Sequence, residues 1–221
     1  MSQVIGEIHE TIARLRKEVR GATTDAQIKK VEYSTDASNY RVPPQVIVTP
    51  LDADDIATTL AIAHENRTPI TLRGGGTSVA GNSIGTGIVI DTSVHMNKII
   101  DLDPIARTAI VEPGVILSSL QSKAAPHGLR FGPDPSTQNR ATFGGLIGNN
   151  ACGPHALSFG KTADNVISLD LIDGRMRRFT AEKGLDSIPG LQEIVSRNLA
   201  PLRTEFGKFG RQVSGYSLEH L

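Results

Sequence analysis

Three consecutive glycines, Gly74, Gly75 and Gly76, follow directly on the run Ile70 to Leu72, and the run Ile88 to Ile90 closes the glycine-rich stretch 73 to 87. Glycine loses more backbone freedom on folding than any other residue, so such a triplet between two buried strands needs a purpose. A backbone without side chains can turn its N–H groups inward and approach an anion closely. Here the triplet is followed by the hydroxyls of Thr77 and Ser78, then by Gly81 and Asn82, and is preceded by Arg73. Several N–H donors with two hydroxyls suit a phosphate, and a diphosphate above all, without any basic surface patch. The bland alternative is a flexible surface loop.

Two familiar phosphate loops do not fit these residues. Gly76 and Gly81 have the Walker A spacing, but Asn82 stands where the phosphate-gripping lysine belongs, which disfavours ATP or GTP hydrolysis. Gly74 and Gly76 begin a GxGxxG pattern that ends on Val79, with no helix signal inside the loop.

The rest of the chain reads as mixed α+β. Val4, Ile5, Ile8, Ile12, Leu15 and Val19 form one apolar helical stripe ending near Gly21. Strands are expected at Val46 to Val48, Ile70 to Leu72, Ile88 to Ile90, Ile99 to Leu102 and Thr108 to Val111, with a helix over Asp52 to Asn66 and another from Val115 to His127. A hairpin of Val166 to Ile172 with Met176 to Thr180 and a helix over Ser187 to Phe206 complete the pattern. Between them, Arg130 to Gly160 is rich in Gly, Pro, Asn and Ser and far longer than an ordinary connection, which marks it as a second place to look for a ligand.

Composition excludes several classes. Lys plus Arg equals Asp plus Glu at 23 each, so there is no basic field for nucleic acid. No apolar run approaches the roughly 20 residues that span a bilayer, and a cytoplasmic location is expected. A single cysteine, Cys152, and six scattered histidines give no metal-ligand spacing.

Four stretches resemble one family in order and spacing: RGGGTSVAGN at 73 to 82, PDPS at 133 to 136, ATFGGLIGNNACG at 141 to 153 and GKTADNVISLDLI at 160 to 172. They are similar to the FAD-binding domain of the vanillyl-alcohol oxidase / p-cresol methylhydroxylase (PCMH-type) flavoproteins, in the branch of D-lactate dehydrogenase, glycolate oxidase and D-2-hydroxyglutarate dehydrogenase. The resemblance implies a two-lobed α+β domain over 33 to 221, with lobes of about 33 to 112 and 113 to 221, behind an N-terminal helical segment over 1 to 32. It implies FAD with its diphosphate on residues 74 to 78, within a cofactor-binding loop that includes Arg73, Gly74, Gly75, Gly76, Thr77, Ser78, Gly81 and Asn82. By the same carry-over, Pro133, Asp134 and Ser136 lie along the flavin. Thr142, Gly144, Gly145 and Asn149 hold its ribityl and ring region, and Asp164, Asn165 and Val166 the adenine-side wall.

The implied activity is oxidation of a 2-hydroxy acid to the 2-oxo acid by hydride transfer to flavin N5. Some relatives bind flavin covalently through a histidine in the glycine loop; this loop has none, so dissociable FAD is expected. The substrate clamp and base of the family lie in a cap domain, for which the chain has no room, so an inactive cofactor-binding fragment without catalytic residues of its own is expected. The NNACGPH wording resembles large bacterial members with an iron–sulfur region, which would place any iron–sulfur cluster, the electron acceptor and a peripheral membrane or respiratory-chain partner with the longer protein. Cys152 reads as an inert small residue and His155 as structural, with redox and proton-transfer roles as the sharper alternatives. Rival readings are a UDP-N-acetylenolpyruvoylglucosamine reductase-like flavoenzyme, a non-catalytic module that has lost the cofactor, and an α+β domain for another phosphorylated ligand.

Overall fold

The computed structural model describes residues 2–182, 184 and 188–205. Its contacts group them into two units, one running to Asn165 with Gly174–Met176, the other formed by Val166–Asp173 and the residues from Arg177 on. Each is taken by itself.

The first unit is built on a four-stranded sheet of order β1-β2-β4-β3, from β1 (Ala22–Thr24), β2 (Val46–Thr49), β3 (Ile70–Arg73) and β4 (Ile88–Asp91). β2 and β3 both run parallel to β4, and β1 pairs antiparallel with β2. Side chains alternate across a strand, and the register Val46 to Ile88 and Val48 to Ile90 puts these four on one face. There they meet α1 (Ser2–Glu18) through Ile12 and Leu15, with Val19 just beyond the helix, and α3 (Ala53–Glu65) through Ile62 and Ala63, in one buried core. Ile47 and Val89 face the other way, onto Tyr33.

α3 starts where its sequence says it should. Asp52 accepts from the N–H groups of Asp54 and Asp55 at 2.9 and 3.3 Å, satisfying donors that a helix start leaves open. Asp55 then turns into the protein, 1% exposed, and accepts the backbone N–H groups of Arg20, Gly21 and Leu51 at 2.9 to 3.0 Å. Burial alone would raise this carboxyl, but these donors outweigh it and hold Asp55 below the usual carboxylate range.

The expected helical segment over 1 to 32 is tied into this sheet: β1 and α2 (Gln27–Glu32), neither legible in the sequence, follow α1, and β1 extends the sheet at its edge. The unit boundary falls at 165/166, whereas the sequence reading puts a lobe boundary at 112/113.

Further along, β5 (Ile99–Asp103) and β6 (Thr108–Val111) form a hairpin, followed by α4 (Leu117–Ala124) with a short 3-10 turn over Ala125–His127. The second core cluster joins Val115, Leu117, Leu120, Ala141, Phe143 and Leu146. α5 (Phe143–Gly148) and α6 (Ala156–Phe159) lie in the stretch that lacked periodicity. A 3-10 turn over Thr162–Asn165 ends the unit's continuous stretch, and among the described residues no helix is long and apolar enough to cross a membrane.

The second unit holds the hairpin of β7 (Ser168–Ile172) with β8 (Arg178–Glu182), and the helices α7 (Leu191–Arg197) and α8 (Leu199–Glu205). The single helix expected over Ser187 to Phe206 is thus two, with Asn198 between them, and both of its expected ends lie outside the described residues. So does the terminal stretch 206–221, on which the expected lobe ends.

Candidate functional site: a glycine loop closed over a polar cleft

Parallel neighbours need a crossover connection, and β3 reaches β4 through the glycine-rich loop 74–87. The loop therefore starts at the carboxyl end of β3, the end at which open α/β sheets bind ligands. Arg73 closes it from below. Its Nη1 donates to the carbonyls of Thr35 and Ser83 at 3.0 and 3.1 Å, and its guanidinium lies 5.1 Å from the centre of the Tyr33 ring. The structure thus turns this Arg73 nitrogen toward the protein's own carbonyls. Tyr33 in turn donates its hydroxyl to Asp91 at 2.7 Å, and burial followed by that carboxylate pushes the phenol far up. Asp91 also accepts the N–H and hydroxyl of Ser93 at 2.8 and 2.6 Å.

The triplet is required by close packing within the protein. A β-carbon at Gly74 would lie 2.0 Å from the Thr142 Oγ1, and one at Gly75 would lie 2.1 Å from the Arg140 carbonyl oxygen. Gly76 has φ +64°, in the left-handed region that favours glycine. The sequence reading gave these glycines to the guest alone; the structure adds that they let the loop seat on residues 140–142. Ser78 accepts the N–H groups of Ala80 and Asn82 in a tight turn, Thr77 is half-buried, and Gly81, at φ +79°, lies against the Tyr40 ring.

The third of the quoted stretches meets the first at this point. Phe143 and Gly144 donate their N–H groups to the carbonyls of Val115 and Pro113 at 2.9 and 2.8 Å, and Ile116 bridges Thr142, so residues 141–144 run along 113–117. Thr142 precedes α5 but makes no capping bond; its Oγ1 is buried with no hydrogen-bond partner among the described residues. Leaving a buried hydroxyl unpaired costs about 1–3 kcal/mol, so its presence here asks for an explanation. Gly145 is exposed, and a β-carbon there would meet only the Thr142 Oγ1 at 3.5 Å, whereas one at Gly144 would touch Pro113 at 3.0 Å. Asn149 caps the carboxyl end of α5 and is exposed.

PDPS and NNACGPH form a second junction. Pro133 is buried and Ser136 exposed. Asp134 accepts both the backbone N–H and the ring Nδ1 of His155, and Arg130 stands 3.7 Å away. An ionised carboxylate only accepts, so the ring nitrogen facing it is the donor. That bond holds Asp134 below the usual carboxylate range. Gly153 is needed because a β-carbon would fall 2.3 Å from Asp134, and Cys152 beside it is half-buried.

Asp164 and Asn165 are spent on their own turn. Asp164 accepts the Lys161 N–H at 2.7 Å, and Asn165 donates to the Phe159 and Lys161 carbonyls at 2.8 and 2.9 Å. Val166 begins the second unit.

Beside the loop lies a cleft of about 430 Å³ lined by Gly75, Ser93, Asn97, Ser119, Arg140 and Thr142, among others. Of these only Gly75 and Thr142 were read from the sequence. The polar residues Asp91, Thr92 and Ser93 at the carboxyl end of a buried parallel strand carried a usable signal; Asn97, Ser119 and Arg140 carried none. A dinucleotide cofactor fits this donor set. The wall offers hydroxyls, amides and one cation, the orphaned Thr142 hydroxyl lies at its edge, and Gly145 leaves bare backbone where a flat ring can approach.

Comparison with known proteins agrees. Residues 44–180 match the model of the FAD binding domain family. The chain is 35% identical over 220 residues to D-2-hydroxyglutarate dehydrogenase of Pseudomonas putida, covering 91% of this chain and 22% of that protein. It is 33% identical over 189 residues to the glycolate oxidase subunit GlcD of Escherichia coli K12, covering 82% of this chain and 37% of that one. It therefore spans only about a fifth to two fifths of the length of these curated relatives. Among solved structures, 6-hydroxy-D-nicotine oxidase from Arthrobacter nicotinovorans superposes with a TM-score of 0.68 at 24% identity, over 84% of this chain and 40% of that one, which shows a shared fold. The glycine loop and the Thr142 on which it is seated both lie within the matched residues 44–180, and the chain belongs to the FAD binding domain family.

Proposed function

We propose that the chain holds FAD without a covalent bond and is the cofactor-binding part of an oxidoreductase that converts a 2-hydroxy acid into the 2-oxo acid. The observation that carries the cofactor reading is the buried, unpartnered Thr142 Oγ1 where the glycine loop meets residues 141–145 beside a polar cleft. The substrate class rests on similarity to D-2-hydroxyglutarate dehydrogenase and the glycolate oxidase subunit.

In this reading, residues 74–78 hold the diphosphate, with Thr142, Gly144, Gly145 and Asn149 at the ribityl and ring region and Pro133, Asp134 and Ser136 along the flavin. Asp164 and Asn165, through the turn they hold together, support the adenine side. When bound, FAD supplies the two-electron acceptor for oxidation of an alcohol carbon. The chain's own part is binding and orientation: backbone N–H groups meet the anionic linker, and the bare surface at Gly145 admits the ring. No histidine lies in 73–82 to form a covalent link.

The test is a thermal-shift and absorbance titration of the chain with FAD, FMN and ATP. FAD at a hundredfold excess over its dissociation constant should add about 2.7 kcal/mol of stability, and acid precipitation should release all of it. Stabilisation by ATP equal to that by FAD, or flavin retained on the precipitate, would overturn the corresponding part of the proposal. Gly145→Asp should abolish the FAD shift while leaving the unliganded melting temperature in place, because its β-carbon meets no backbone.

A further inference from the structure

Only one of the six cleft residues named above carries a formal charge. Ser93, Asn97, Ser119 and Thr142 are neutral, and no Asp or Glu is among the residues lining the cleft. The single cation, Arg140, is exposed, and its guanidinium has no ion-pair or hydrogen-bond partner among the described residues. Three arginines of the first unit are engaged instead: Arg14 and Arg20 pair with carboxylates, and Arg73 is bonded to carbonyls. The backbone of Arg140 is fixed, since its N–H donates to the Thr137 carbonyl at 2.8 Å and its own carbonyl packs against Gly75. A guanidinium on an anchored backbone, without a partner among the described residues and on a residue that lines the cleft with neutral polar groups, gives the cleft a positive potential matched to a planar or tetrahedral oxyanion. Asn97 adds to this. Its amide nitrogen donates to the Ser93 and Val94 carbonyls at 3.1 Å, which fixes the orientation of the side chain at the cleft wall.

We infer that Arg140 is an anion-binding residue of the cleft, and that its ligand is the diphosphate of the dinucleotide. The second part rests on the cofactor reading above. The glycine loop supplies neutral donors to that diphosphate, and Arg140 supplies the charge that the loop lacks. Arg140 is a binding residue and takes no part in the oxidation.

The experiment measures binding of FAD, riboflavin and inorganic pyrophosphate to the wild-type chain and to Arg140→Gln and Arg140→Lys, by calorimetry at two salt concentrations. The side chain is exposed and unpaired, so both variants should fold and melt as the wild type does. Arg140→Gln should weaken FAD and pyrophosphate about ten- to a hundredfold, the usual worth of a hydrogen bond to a charged group. It should leave riboflavin, which has no phosphate, unchanged, and it should reduce the salt dependence of FAD binding. Arg140→Lys should recover part of the loss. If FAD and pyrophosphate bind Arg140→Gln as tightly as the wild type, the assignment of Arg140 fails while the cofactor reading stands. If pyrophosphate binds through Arg140 but FAD does not bind, the anion site stands and the cofactor reading fails. If neither binds the wild type, both fail.

Discussion

At Gly75 the missing side chain matters because a methyl group would fall 2.1 Å from the Arg140 carbonyl oxygen, an atom that the backbone cannot move cheaply. Gly75→Ala should therefore destabilise the protein by about 1–3 kcal/mol, the usual cost of overpacking, and should lower FAD affinity with it. Chemical denaturation of the unliganded chain measures the first effect, and a wild-type denaturation midpoint would contradict the packing argument. The contrast with Gly145→Asp is informative, since that position is open and the same titration should show lost binding with retained stability. Two glycines from the same family signature thus serve different ends, one seating protein on protein and the other leaving a surface bare. Sequence alone assigns both to the ligand, because a glycine's letter does not say which neighbour approaches it. Arg73 teaches the same lesson from the other side: its place before the triplet suggests an anion contact, and its guanidinium is bonded to Thr35 and Ser83.

Asp55 and the start of α3 show how an element is held by one buried charge. Its carboxylate accepts three backbone N–H groups from two other segments, at Arg20, Gly21 and Leu51, so it fastens the chain around β1 and β2 to the helix. Asp55→Ala should cost about 3 kcal/mol, because it leaves buried donors unpaired. Linkage fixes the sign of the pH effect. The folded-state pKa of Asp55 is lowered, so its contribution is fully present above the unfolded value near 3.9 and is lost as pH falls through the folded value. Wild-type stability should drop on acidification below about pH 4, and the drop should be shallower in Asp55→Ala; parallel curves for the two proteins would refute this account. The helix itself was legible, because Asp52 and the acidic first turn are visible in sequence and β-branched runs mark β2, β3 and β4. β1 and α2 were not, since Ala22–Thr24 has no apolar alternation and pairs only because β2 offers an edge. α5 was hidden by its glycines, which lower helix propensity and here answer to packing on Pro113 and to the open surface at Gly145.

For the first unit as a whole, the question is whether α1 is an appendage or part of the core. Leu15 is fully buried, and with Ile12 and Val19 it covers Val46, Val48, Ile88 and Ile90, the last two on β4, into which the glycine loop runs. A sheet whose second face already takes Tyr33 needs α1 and α3 together to bury the first. Reading residues 1 to 32 as a separate helical segment follows from the helix ending near Gly21, where periodicity stops; only tertiary pairing carries the chain back into the sheet through β1. Leu15→Ala should then cost about 2–5 kcal/mol, as for other core leucines, where an exposed helix on the surface of a finished domain would lose a few tenths. The loss should also reach the site, although Leu15 touches none of its residues, because β3 and β4 set the two ends of the loop at Arg73 and Ile88. Urea denaturation with and without FAD separates the cases. If α1 belongs to the core, Leu15→Ala shifts one cooperative transition that FAD shifts back. If the variant melts α1 alone, in a separate step that FAD leaves untouched, the helix is an appendage and the core closes without it.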